Sequence, residues 1–275
     1  MTIHQAILPV AGLGTRFLPW TKVVPKELLP IGNQPIIALL VDECLSIGID
    51  DICFVISRGK EAIPQYFYDM PELEEELRSR GKLHMLEELS RYSKVRFHVV
   101  YQEEMKGDGH ALLQAREWVK PGTVAVLFGD DLIVGKENGL QQLQKAMEML
   151  RPDGDVAMLC LQEVERSMLH RYGVVNVDKD DRKTTARLKK IKGLVEKPKP
   201  EDAPSNLGIV GKYLIPSSLF ERLHEIEGTK DGEIRLIDAL IHHQENLAIY
   251  GYIFEGTRLD TGTPEGYKEA VKILG

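Results

Sequence analysis

The chain reads as an α/β fold, with a mostly parallel central sheet flanked by helices and an antiparallel β extension. Three observations carry that reading. β-branched runs alternate with helix-spaced apolar stripes over the first 160 or so residues, as in βαβ units of a parallel sheet. Glycine-rich turns join strand to helix at 11–16 and again at 107–109. From Tyr172 onward the texture changes to β-rich segments separated by polar turns.

Taken in order, residues 6–10 form a short apolar run that predicts a buried strand. It feeds directly into Ala11-Gly12-Leu13-Gly14-Thr15-Arg16. Two glycines let the backbone turn sharply and approach a ligand, and consecutive N–H groups in such a turn can form an anion-binding concavity. Arg16, Lys22 and Lys26 follow, while Pro19, Pro25 and Pro30 prevent one regular helix, so the cations sit on a shaped loop. A glycine turn at a strand end plus fixed cations describes a polyphosphate site. The dinucleotide fingerprint is excluded by Phe17, which stands where its third glycine belongs. The P-loop is excluded by Thr15-Arg16 after Gly14. On GxG alone, an ordinary turn with solvated basic residues reads about as well.

Residues 34–47 predict a helix capped by Gly48, and 52–56 a second buried strand, completing a βαβ unit. Residues 58–93 interrupt the alternation with two charged surface helices around Gly81, either a solvated hairpin or a subunit contact. Residues 94–101 alternate as a strand, ending in the second glycine-rich turn, and 111–119 predict a helix. Residues 123–128 are a further buried strand ending in Gly129-Asp130-Asp131. Carboxylates there lie on the ligand-binding edge of an open sheet and suit a hard cation such as Mg²⁺; the alternative is a loop Asp capping the next helix. A helix at 140–150 and a strand at 156–161 follow. The segments 172–175, 188–197 and 207–215 predict the antiparallel extension, covering the open edge of the sheet. Glu196-Lys197 sits within it; such a pair is commonly a surface ion pair, but over a sugar phosphate Glu can accept from hydroxyls and Lys meet the phosphate. Residues 233–245 predict a helix, 247–255 a strand, and 259–264 a turn into a last helix. Asp260 in that turn is the natural partner of Asp130. His242 and His243 lack zinc-site spacing and read as surface residues.

Composition limits the function. A net charge of −7 and a pI near 5.7 argue against a general nucleic-acid surface, so a phosphate ligand must meet a local basic cluster. Cys44, Cys53 and Cys160 stand apart in apolar surroundings, as reduced core thiols of a cytoplasmic protein do. No apolar run approaches membrane-spanning length, and the chain begins without a signal sequence. With neither repeat nor low-complexity linker, residues 1–275 read as one domain.

The segment AGLGTRFLPWTKVVPKELLPIGNQPII resembles the signature of the sugar-phosphate nucleotidylyltransferases, G-x-G-T-R followed by P-K-x-x-x-P. The likeness extends through GHALLQA, GDDL, YGVV, VEKP, GKYLIP, GEIRLIDAL and LDTG, and the inserted helices point to the uridylyltransferase branch. The resemblance implies a Rossmann-like sheet whose β extension covers a sugar-phosphate site. It implies that UTP and glucose 1-phosphate give UDP-glucose and pyrophosphate. Ala11, Gly12 and Gly14 would contact the nucleotide, with Gln102 and Gly107 at the uracil and Glu27 in the same cleft. Arg16 and Lys26 would hold the triphosphate and leaving pyrophosphate. Asp130 and Asp260 would hold Mg²⁺. Gly173, Glu196, Lys197 and Gly211 would cradle the sugar phosphate. A homodimer or homotetramer is the expected assembly, with no nucleic acid or membrane partner. Asp108 and Gly129 depart from the family pattern, and Asp108 falls beside the base. The alternatives are a thymidylyltransferase or other NDP-sugar pyrophosphorylase, a nucleotide-sugar glycosyltransferase, and a non-catalytic nucleotide-binding homologue.

Overall fold

A computed structural model describes residues 3–226 and 232–275. Strands β1 (Gln5–Pro9), β2 (Asp51–Ile56), β3 (Arg96–Tyr101) and β4 (Thr123–Leu127) run parallel in the order β3-β2-β1-β4. Helix α1 (Ile36–Leu45) crosses from β1 to β2 and, as expected, gives way to Gly48 at φ 83°. The insert forms α2 (Pro71–Ser79) and α3 (His84–Leu89) around Gly81, at φ 69°.

Beyond β4 the sheet continues through β9 (Leu207–Pro216), β6 (Val156–Glu163), β10 (Ala248–Ile253), β8 (Leu188–Glu196) and β7 (Gly173–Asp178). Only β9 and β8 oppose the other strands, so seven of the nine run one way. The α/β class with a mostly parallel sheet and an antiparallel part is therefore borne out. The expectation that all three late segments cover an edge is corrected. β9 enters the middle of the sheet, antiparallel to both β4 and β6, and only β8 and β7 lie at the rim. Its sequence LGIVGKYLIP is almost continuously buried, as a strand covered on both faces must be.

Helices cover both faces. α1 and α5 (Gly139–Leu150) pack on one core, while α4 (Asp108–Gln114), α6 (Ser217–Arg222) and α7 (Leu236–His243) pack on the other. α4 begins three residues earlier than expected and stops at Gln114, and α7 is shorter than 233–245. The small ribbon of β5 (Asp131–Val134) and β11 (Thr257–Asp260) was not anticipated; α8 (Pro264–Leu274) follows it. His243 is buried, correcting its surface reading, while His242 is exposed. The three cysteines are free and buried, and burial pushes the Cys53 thiol up to about 12, so these are inert core thiols.

Candidate active site

The first glycine turn is held in shape by contacts from both sides. Gly14 takes φ 64°, and a side chain there would also press on Thr21, whose hydroxyl donates to the Gly14 carbonyl at 2.9 Å. Lys60 Nζ donates to the Val10 carbonyl at 2.6 Å and to Glu27 at 2.9 Å. Glu27 is 1% exposed, so this buried pair ties the end of β1 to the turn carrying Lys26. The result is one wall of a cavity of about 420 Å³ lined by Ala11, Gly12, Gly14, Lys26 and Glu27.

The facing wall comes from the second glycine turn, with Gln102 and Gly107 on the cavity. Gln102 is buried and donates to the Gly107 carbonyl at 2.9 Å. Gly107 takes φ 94°, and a Cβ there would stand 2.5 Å from the Ile234 carbonyl oxygen. Residues 234–236 are knitted onto this turn. Ile234 N–H donates to the Lys106 carbonyl at 2.7 Å, and Leu236 N–H to Asp108 Oδ1 at 2.8 Å. The unusual Asp108 therefore caps the first turn of α7 while lining the first cavity.

At the end of β4 the two aspartates diverge. Asp131 opens β5, buried, pairing with Arg258 and accepting from Gly211 N–H at 2.8 Å. Asp130 instead reaches the cavity wall. The β5–β11 register sets Asp131 opposite Asp260, and Thr261 N–H donates to the Asp130 carbonyl at 2.8 Å. Asp130 and Asp260, 130 positions apart, thus flank one glycine: a Cβ on Gly262 would meet Asp130 Oδ2 at 2.6 Å and Asp260 Oδ1 at 3.1 Å. Two carboxylates around a space that only glycine leaves open fit a hard divalent cation, and these residues suit it.

A second cavity of about 340 Å³ opens on the other side of Asp130. It is strongly basic, lined by Arg16, Arg171, Lys197 and Arg258 together with Asp260. Arg16 donates to the Gly262 carbonyl at 3.3 Å, closing the first glycine turn onto the Asp260 turn. Lys197 follows β8 at φ 45° and pairs with Glu196 at 3.0 Å. Between the cavities, Lys26 Nζ stands 2.9 Å from Asp130 Oδ2. Burial alone would lower the Lys26 pKa, but Asp130 and then Glu27 outweigh it and hold it above the ordinary value. Burial pushes Asp130 upward, yet Lys26 overcomes this and keeps its carboxyl below the usual range.

Of the residues expected at the site, Ala11, Gly12, Gly14, Lys26, Glu27, Gln102, Gly107 and Asp130 line the first cavity, and Arg16, Asp130, Lys197 and Asp260 the second. Gly173 lies opposite Glu196 in the β7–β8 ladder, and a Cβ there would meet Glu196 Oε2 at 3.3 Å. Gly211, expected beside the sugar phosphate, lines neither cavity and occupies a packing position. Its N–H serves Asp131, its carbonyl accepts from Phe128 N–H at 2.8 Å, and a Cβ would strike both residues. Lys22 is exposed and lines neither cavity. Sequence reasoning missed Arg171 and Arg258. The signal available was slight: each stands two residues before an expected site residue, Gly173 and Asp260.

The family profile described as Nucleotidyl transferase matches residues 5–274. The chain is 38% identical over 266 residues to a UTP–glucose-1-phosphate uridylyltransferase of Bacillus subtilis, covering 96% of this chain and 88% of that one. Among solved structures, UDP-glucose pyrophosphorylase complexed with UDP-glucose matches with a TM-score of 0.84 at 33% identity, covering 99% of this chain and 98% of that one. UTP-bound UGPase from Acinetobacter baumannii matches with a TM-score of 0.88 at 32% identity, covering 100% and 94%.

Proposed function

The chain belongs to the nucleotidyl transferase family, and we propose that it is a UTP–glucose-1-phosphate uridylyltransferase, forming UDP-glucose and pyrophosphate. The observation that carries this reading is the meeting of two cavities at Asp130: one walled by glycine turns, the other by fixed cations. A nucleotide fits the first and a sugar phosphate the second, which sets their phosphates beside the same carboxylate. Relatives named for this activity across nearly the whole chain favour it over a thymidylyltransferase.

The reaction joins a phosphate oxygen of glucose 1-phosphate to the α-phosphorus of UTP and breaks the bond between that phosphorus and the oxygen bridging to the β-phosphate. The attacking oxygen is already anionic, so no side chain need remove a proton. The obstacle is repulsion between two anions, which alignment and fixed positive charge overcome. Gly12 and Gly14 let the backbone approach the triphosphate, and Gln102 and Gly107 read the uracil. Lys26 and Arg16 neutralise charge on the departing pyrophosphate. Lys197, with Glu196 and Gly173 beside it, positions the glucose phosphate, and Arg258, held by Asp131 and by Tyr172 Oη at 2.9 Å, supplies a further fixed charge. Asp130 and Asp260 would hold Mg²⁺, which when bound polarises phosphate oxygens as a Lewis acid.

The continuous nine-stranded sheet supports reading residues 1–275 as one domain. Among the described residues no helix is long and apolar enough to cross a membrane. Three free, buried thiols suit a reducing cytoplasm. Exposed apolar residues on the insert and last helix, among them Leu83, Met85, Leu89 and Ile273, support a homodimer or homotetramer. The test is pyrophosphate release measured over a panel of UTP and dTTP against several sugar 1-phosphates. UTP with glucose 1-phosphate should be the preferred pair. Equal or better use of dTTP would overturn the assignment, as would UDP-glucose consumption without pyrophosphate.

A further inference from the structure

We propose that Glu225, His242 and His243 form a second metal site, distinct from the Asp130–Asp260 carboxylates, that takes a zinc-class divalent cation. Glu225 ends the single 3-10 turn Leu223–Glu225 after α6, and the two histidines close α7. One ligand atom from each of the three side chains lies within 4.8 Å of the others. The imidazoles stand edge to face, with ring centroids 4.7 Å apart.

The independent observation is His243 itself. The residue is 5% exposed, yet its Nε2 has no hydrogen-bond partner. The nearest carboxylate oxygen, of Glu225, is 3.9 Å away, too far for a hydrogen bond. A buried polar atom without a partner is costly, and this one faces a carboxylate and a second imidazole. In the neutral imidazole with its proton on Nδ1, the unpartnered Nε2 offers a lone pair to a cation. The Arg222 charge lies nearby, and the Glu225 carboxylate offsets it.

Two nitrogens and one carboxylate oxygen leave a fourth position for water, a set that suits Zn²⁺. Mg²⁺ is a poor rival because it seeks oxygen ligands. The site has a structural consequence. It joins the end of α7 to the turn after α6, while Asp108 of the first cavity's wall caps the first turn of α7 and Lys106 holds Ile234 just before it. A cation here would brace that helix from its far end.

The test titrates the intact protein with Zn²⁺ by calorimetry in excess Mg²⁺, then with Co²⁺ followed by its visible d–d bands. One Zn²⁺ per chain, a tetrahedral Co²⁺ spectrum and a Zn²⁺-dependent rise in Tm are expected. His242→Ala and Glu225→Gln alter exposed residues, so both should stay folded. Each should weaken Zn²⁺ binding by at least the roughly 10–100-fold that losing an outer-shell partner costs. Asp130→Asn should leave this binding intact, and pyrophosphate release should be unchanged in the two surface variants. Absence of Zn²⁺ binding, binding lost only in Asp130→Asn, or unaltered binding in both surface variants would overturn the proposal.

Discussion

Lys26 Nζ lies 2.9 Å from Asp130 Oδ2, an ion pair that spans 104 positions of sequence and stands where the two cavities meet. It couples the first glycine turn to the end of β4. It also keeps a cation beside a carboxylate that lines both cavities.

Removing either partner should disable the reaction without unfolding the protein. Lys26→Ala and Asp130→Asn are each expected to lower turnover by roughly 10²–10³, the loss seen when one preorganised electrostatic group is removed. Pyrophosphate release measured alongside circular dichroism checks this. Turnover near wild type in both variants would remove the pair from the mechanism.

The same pair should leave a pH signature in stability. Asp130 is held below its ordinary pKa, so its contribution is complete above the unfolded value near pH 4 and fades as pH falls through the lower folded value. Lys26 is held above its ordinary pKa, so its contribution is complete below about pH 10 and fades as pH rises through the folded value. The stability lost in Lys26→Met should therefore be constant between about pH 5 and about pH 10 and shrink on either side. Urea unfolding at a series of pH values measures it, and a difference that stays flat into strong acid would contradict the assignment.

Gly262 should tolerate no side chain for a reason of space. A methyl group there would meet Asp130 Oδ2 at 2.6 Å and Asp260 Oδ1 at 3.1 Å, forcing the carboxylates apart. Gly262→Ala is expected to lower turnover on the order of 10²-fold, as small displacements of aligned groups do, and to raise the Mg²⁺ concentration needed for half-maximal rate. Mg²⁺-dependent kinetics decide the point. An unchanged Mg²⁺ requirement would show that the two carboxylates do not act on one cation.

Stability depends on a buried pair that lines neither cavity. Lys212 is fully buried, with Nζ 2.6 Å from Glu43 Oε2, and Glu43 also accepts from Leu140 N–H at 2.9 Å. Lys212→Met should cost about 3–5 kcal/mol, because Glu43 is left charged, buried and uncompensated. Adding Glu43→Leu should recover part of this but not all, since the Leu140 N–H then loses its acceptor. Denaturant midpoints of the single and double variants test the order; a double variant less stable than the single would reverse it.

Much of the fold was legible because local chemistry dictated it. The run before Ala11, the periodicity of α1 and α5, and Gly48 and Gly81 as stops are decided within a few residues. The late β segments were legible as strands but not in order, because a strand does not encode its neighbour; continuous burial sends 207–216 to the centre. The start of α7 was not legible because its cap, Asp108, comes from 128 positions away. Residue types at the glycine turns and in Asp130, Asp260 and Lys197 pointed to phosphate chemistry only taken together and through the family resemblance. Only the tertiary structure decided that Asp130 faces the cavity while Asp131 is spent on Arg258, that Gly211 packs behind the site, and that Arg171 and Arg258 join it. The physical reason is that adjacent residues on a strand point to opposite faces, and only the register of β5 against β11 fixes which aspartate lines the cavities.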